Sequence, residues 1–342
     1  MKSKFNNLII ILGLIIALSI FISSCKKEWL EAKPKQDLVV PETPSDLLAL
    51  LDNDVSNIEY PTLGELASDD YYVDDDYFSV LPNRDQNIYT WSNAKDFYAG
   101  QGDVDWQVAY NRIFNMNLVL EKVSQQNRSS ELTNQIKGSA LFFRGMSFFG
   151  LASTFSKPYN AETASHDLGV VLRLVSNINI PAKRASLKET FNRVLQDLQE
   201  AIELLPSQAQ YKTRPTKSAA LALLSRVYLY MGDFENALKY STDCLKSHSL
   251  LNDFNALSVF DPSNYRFTFD KYDQEVILFA RAQYETLLPE PFGLGSVSSD
   301  LYNSYEMGDL RKSIFFFELN GRLVYVGGFG DMGVFFFQWF LQ

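Results

Sequence analysis

The segment from residue 60 to 103 mixes flat aromatic rings with hydrogen-bonding side chains. Trp91 offers the largest face, with Tyr72, Tyr89 and Tyr98 beside it in sequence and Asp70, Asn83, Arg84, Asn87 and Asn93 between them. Pyranose rings present C–H faces that stack on Trp and Tyr, while carboxylates, amides and guanidinium groups take the hydroxyls around the rim. Such a set can hold a sugar. The same rings can also pack a loop onto a scaffold, and for Trp106, on a helical face with Tyr110 and Ile113, packing is the expected role. Asn117 on that face reads as a buried hydrogen-bonding residue.

A second reactive group is the thiol of Cys25. Lys2 and Lys4 lead into an apolar run from Leu8 to Ile22, and Ser23-Ser24-Cys25 breaks into charge. A basic start, an apolar middle and a small-residue exit make a secretory signal, shorter than the roughly 20 apolar residues of a stable span. A cysteine at the exit resembles the lipobox of bacterial lipoproteins, in which cleavage before the Cys is coupled to acylation. Two or three acyl chains anchor firmly, each buried CH₂ adding about 0.8 kcal/mol. The expected organisation is a signal peptide over 1–24, a lipid-anchored tether over 25–40, a helical domain over 41–319 and an aberrant tail over 320–342.

Other chemistries find little support. The chain has 342 residues, a net charge of −10 and only two histidines, His166 and His248, far apart in sequence. They exclude a multi-His zinc site and weigh against a Ser–His triad. Losing Lys2 and Lys4 with the signal makes the remainder more acidic still, against a phosphate-backbone binder, so no nucleic acid is expected. Gly327-Gly328-x-Gly330 lacks the following helix of a phosphate loop. The acids Asp69, Asp70, Asp74, Asp75 and Asp76 lack the spacing of a calcium loop and read as a solvated acidic stretch. Carboxylates are too common to single out a glycosidase pair, so no enzyme, metal or cofactor is expected. Cys244 stands alone once Cys25 carries lipid, and reads as a small core residue.

The elements that position these groups are mostly helices. Thr43-Pro44-Ser45 caps a first one bearing Leu47, Leu48, Leu50 and Leu51. Periodic apolar faces follow over 106–123 and 131–155. Ser186 with Glu189 is a capping box for a helix striped by Phe191, Val194, Leu198 and Ile202 and ended by Pro206. Helices over 217–231 and 234–247 meet at Gly232-Asp233 with tetratricopeptide-repeat spacing, Leu224, Tyr228 and Phe234 filling the gap beside small Ala237. One repeat cannot bury its own faces, so the earlier pairs should stack beside it. Residues 275–279 suit a strand, and Ser299 a helix cap. The fold class is therefore mostly α, a tetratricopeptide-like helical-repeat scaffold with long irregular loops and a few short strands.

In this order the motifs resemble the SusD/RagB family of outer-membrane nutrient-binding lipoproteins. They are Cys25 with Trp29-Leu30 and Lys33-Pro34, Glu65–Asp70 (ELASDD), Trp106-x-x-x-Tyr110-x-x-Ile113-x-x-x-Asn117 and Ala140–Arg144 (ALFFR). Arg184–Pro206, Arg214–Ala237, Glu275-Val276-Ile277 and Asp309-x-Arg311 complete the set. Ser139 and Gly145 depart from the family's usual Glu and Ala, which bears on local stability. The Gly- and Phe-rich stretch 320–342 departs further and reads as a truncated or shifted frame. The resemblance implies a lipid-anchored, surface-exposed outer-membrane protein that breaks no bond. It would capture oligosaccharides, or alternatively peptides, and hand them to a SusC-like TonB-dependent channel. A purely protein-binding repeat scaffold would account for the helices but leave the aromatic segment idle.

Overall fold

The computed structural model describes residues 41–53, 57, 59–126, 130–257, 269, 272–282 and 287–328. The signal segment, Cys25, the tether and residues 329–342 lie outside the described residues. The chain divides into units Met1–Glu42 and Thr43–Gln342, and the architecture below is that of the second.

Helix α1 (Pro44–Leu51) starts on a reciprocal cap between Thr43 and Asp46 and buries Leu47 and Leu51. Next come short elements: β1 (Glu59–Tyr60), α2 (Leu63–Leu66), β2 (Tyr71–Tyr72), α3 (Asp75–Phe78) and α4 (Asn83–Tyr89). The platform follows: α5 (Val104–Ser124), α6 (Glu131–Phe155), α7 (Leu187–Leu204), α8 (Lys217–Tyr230) and α9 (Phe234–Leu245), with β3 (Leu168–Val171) and β4 (Arg184–Ser186) paired antiparallel between α6 and α7. Consecutive platform helices pack on one another, as a repeat array requires. The last part carries β5 (Arg281–Ala282), β6 (Ser296–Val297), α10 (Ser299–Ser304), α11 (Leu310–Phe315), β7 (Phe316–Leu319) and β8 (Arg322–Tyr325). Strand β5 pairs parallel with β1, β6 antiparallel with β2, and β7 with β8.

The core centres on α6, buried on every face from Gly138 to Ala152. Phe142, Phe143, Phe148 and Phe191 are the largest fully buried apolar side chains there, each contributing about 1.5–3 kcal/mol of transfer free energy. Gly145 has a packing reason: a Cβ there would sit 3.2 Å from Leu198 Cγ, so glycine lets α6 and α7 approach closely. Arg144 then bridges three helices. Its Nε and Nη2 donate to Asp197 Oδ2 and Oδ1 at 2.8 and 2.7 Å, and its Nη1 to Asn117 Oδ1 at 3.0 Å. Asn117 Nδ2 donates onward to Arg173 O at 3.0 Å, so this residue is buried and hydrogen-bonded as its place in the sequence suggested. The Ser186–Glu189 box also forms, Ser186 N donating to Glu189 Oε2 at 2.8 Å.

Several expectations are corrected. Phe234 does not fill the α8–α9 gap but is 71% exposed; the stacked Tyr228 and Tyr240 rings, 5.4 Å apart, occupy that place. Residues 275–279 form a turn and bend, and the strand lies at 281–282. The reason is local competition: Lys212 Nζ donates to Val276 O at 2.6 Å, and Phe279 N donates to Lys212 O at 2.8 Å, so these backbone groups are not offered to a ladder. Ser298, not Ser299, stands at the N-cap of α10, and its N–H goes to Asp70 O at 2.7 Å. Residues 320–328 continue into structure, since Asn320 and Gly321, with φ of 53° and 79°, make the hairpin turn between β7 and β8. Val324 and Val326 beyond it are fully buried.

Candidate functional site

The segment 60–98 is less irregular than its composition suggests, because it builds a small core of its own. Leu66, Tyr71, Val73, Leu81 and Ile88 pack with Leu287 and Leu288 from far along the chain. The Tyr71 hydroxyl donates to Leu66 O at 2.7 Å. Asp105 on α5 accepts from Thr62 N and Leu63 N at 2.8 and 2.9 Å, fastening the start of the segment to the platform.

A cavity of about 820 Å³ opens where the segment leans on α6 and α8. Trp91, Phe97 and Ile88 line it from the segment, Phe149 and Ser153 from α6, and Arg226 and Tyr230 from α8, with Tyr60 at the corner. Phe149 and Ser153 are one turn apart, as are Arg226 and Tyr230, so each pair shares one helix face. Tyr230 lies 5.7 Å from the Phe149 ring, edge-on, and stacks on Phe191 behind it, which fixes that wall. Tyr60 is hydrogen-bonded to Ser153, and burial pushes its hydroxyl pKa up to about 12 against the pull of Arg226. It is therefore a neutral donor at any physiological pH.

The four aromatic residues singled out from the sequence part company here. Trp91 lines the cavity and is 74% exposed. Its backbone has a φ of 51°, a left-handed conformation costing a bulky residue about 1–2 kcal/mol. Its indole Nε1 donates to Ala67 O at 2.9 Å, which holds the ring as a fixed panel. Tyr89 is committed to packing: its ring lies 5.8 Å from Tyr71 and 5.7 Å from Phe78, and its hydroxyl accepts from Val73 N at 3.1 Å. Tyr98 sets its ring edge-on to Phe97 at 5.1 Å, and burial and the hydrogen bond to Asp103 raise its hydroxyl pKa. Tyr72 is 47% exposed on β2 and is not part of the cavity wall. The cavity residues the sequence did not flag are Tyr60, Phe149, Arg226 and Tyr230. On helices, Phe149 and Tyr230 look like core stripe; the one available signal was Arg226 inside the otherwise apolar run of α8.

The described residues hold a second buried carboxyl away from this cavity. Glu290 sits in the turn after Leu287 and Leu288, its Oε2 has no hydrogen-bond partner, and burial raises its pKa to about 7. No described helix is long and apolar enough to cross a membrane.

Three comparisons bear on the chain's origin. The profile of the SusD-like family, described as starch-binding associating with outer membrane, matches residues 28–229. "SusD-like protein P2" of Formosa agariphila is 28% identical over 132 residues, covering 39% of this chain and 25% of that protein. A putative sugar binding protein from Bacteroides vulgatus superposes with a TM-score of 0.64 at 22% identity, over 86% of this chain and 69% of that one. A laminarin binding SusD-like protein gives 0.57 at 18% identity, over 86% and 70%. At these identities the solved structures show a shared fold of tetratricopeptide-like helices. The profile, matching over more than half of the length, carries the conclusion: this chain belongs to the SusD/RagB family.

Proposed function

We propose that this protein captures oligosaccharides at the cell surface and hands them to a SusC-like TonB-dependent outer-membrane channel, without breaking a bond. Lipid on Cys25 would hold it to the outer membrane. The observation that carries the binding reading is the fixed, exposed Trp91 panel over an aromatic-walled cavity of about 820 Å³, within the size range of small-molecule sites. Stacking on Trp91 supplies affinity; the Tyr60 and Ser153 hydroxyl oxygens, with the Ser153 proton already given to Gly150 O, supply acceptors for ring hydroxyls. Tyr89 and Tyr98 hold the segment that presents Trp91, and Tyr72 extends the aromatic surface on the neighbouring strand. The descriptions of two solved neighbours, a putative sugar binding protein and a laminarin binding SusD-like protein, support the ligand class.

Calorimetric titration of the chain with plant, fungal and host glycans tests this. Saturable binding is expected, weakened at least about tenfold in Trp91→Ala, the scale of one lost aromatic contact. Circular dichroism should show both forms folded. A folded parent that ignores every glycan and binds peptides would replace the oligosaccharide with a peptide.

A further inference from the structure

We infer that α9 is a self-pairing helix: its exposed apolar stripe meets the same stripe of a second copy of this chain, antiparallel about a two-fold axis. The stripe is not part of the Trp91 cavity wall, and the pairing does not depend on which ligand that cavity takes.

Helix α9 commits few of its apolar side chains to the core. Ala237 and Cys244 are buried, while Phe234, Leu238 and Leu245 are 71%, 68% and 59% exposed. With Ser241 they stand at intervals of four, three and four residues, which puts them on one face of the helix. In a repeat array an apolar outer face meets the next repeat, and a terminal repeat turns a polar face outward instead. Among the described residues no helix follows α9 before α10. An exposed apolar stripe in that position marks an interaction site. A groove of about 290 Å³ runs between α8 and α9, with Ile277 in its lining and the exposed Leu229, Leu245, Leu250 and Leu251 along it.

Stripe and groove fit a second copy of themselves. A two-fold axis crossing midway between Phe234 and Leu245 sets Phe234 of each chain against Leu245 of the other copy, a lining residue of that copy's groove. The same axis sets Leu238 against Ser241 of the other copy, a large side chain against a small one, as interdigitating helices require. Lys246, paired with Asp243 of its own helix, then faces Asp233 of the other copy. The C-terminal end of each helix lies beside the N-terminal end of the other, so the helix dipoles attract as well. A parallel pairing would instead bring Asp233 and Glu235 against their own copies. Charge thus selects the antiparallel order, and apolar burial drives it. The contact is confined to one short helix and its groove, so it belongs with small, reversible interfaces.

The test is sedimentation equilibrium of the full chain in mild detergent over a range of concentrations. Monomer–dimer exchange is expected, with a Kd raised at least about tenfold in Phe234→Lys and in Leu238→Lys, since each sets a charge against apolar surface. Both positions are exposed, and circular dichroism should show both variants folded. Oxidation of a Leu238→Cys/Ser241→Cys chain on a Cys25→Ser background reads the register. Linked dimers are expected in that double variant and far fewer in either single one. Equal linking through Leu238→Cys alone would overturn the antiparallel order. A chain that stays monomeric at every concentration would overturn the pairing. A lowered urea midpoint in Phe234→Lys would then place the stripe's cover within the same chain, and an unchanged midpoint would assign the stripe to a different protein. A dimer indifferent to both lysine variants would equally overturn the pairing, because its contact would lie on another face.

Discussion

The helical platform and the segment from residue 60 to 98 solve the same problem of burying apolar surface in opposite ways. The platform spreads its core over α5 to α9 with α6 enclosed on all sides, and locks it with the Arg144–Asp197–Asn117 network. The segment rests on a small cluster completed by Leu287 and Leu288, and on side chain–backbone hydrogen bonds such as Tyr71 to Leu66. It also holds strained backbone at Trp91, with φ of 51°, and Ala99, directly after the segment, has φ of 53°. Strain of this kind persists only where surroundings enforce it. A stiff base thus supports a thin, strained face, and the cavity lies at their junction.

Three perturbations separate the two regions. The largest effect should come from Asp197→Ala, which leaves Arg144 buried without its bidentate partner and costs about 3–5 kcal/mol. Urea unfolding should show the loss as an earlier midpoint for the whole platform; a shift under 1 kcal/mol would mean that the network is no keystone.

The second concerns Glu290. Its folded pKa is raised from 4.5 to about 7 by burial. Below pH 4.5 both folded and unfolded chains hold the proton. Between 4.5 and about 7 only the folded chain keeps it, so stability falls as pH rises, by on the order of 3 kcal/mol in all, and then levels off. Because Glu290 adjoins Leu288, the loosening should fall on the segment's cluster. Hydrogen exchange at pH 5 and pH 8 should show faster opening there at the higher pH, and Glu290→Gln should erase the difference. A rise in protection with pH would reverse the sign and refute the account.

The smallest effect is Tyr89→Phe. It removes the acceptor for Val73 N–H and should cost about 1 kcal/mol. Exchange at the Val73 amide should quicken while α6 amides stay unchanged. Equal acceleration in both places would show that platform and segment open as one unit.

Legibility in the sequence divides along the same line. The capping box at Ser186, the stripe of α7 and the α8–α9 turn at Gly232 were readable because each rests on residues a few positions apart. Asn117 was readable as buried because its helical face was apolar. Phe234 misled, since repeat spacing assigns it a partner surface that Tyr240 fills instead. Glu275–Phe279 misled because no local pattern shows that Lys212 takes two of its backbone groups. At the site, Trp91 was conspicuous as an aromatic in a polar stretch. Its cavity partners Phe149, Arg226 and Tyr230 were not, because helix periodicity absorbs them and only the fold brings three distant stretches together.

The pairing of β1 with β5 has a consequence for how this molecule comes into being. Glu59 meets Arg281 across a separation of 222 residues. Tyr71 likewise waits for Val297. Closing such long loops is slow, whereas neighbouring helices meet as soon as both are made. By that argument the cavity wall written first in the chain should be the last to find its partners, after the helical array has assembled.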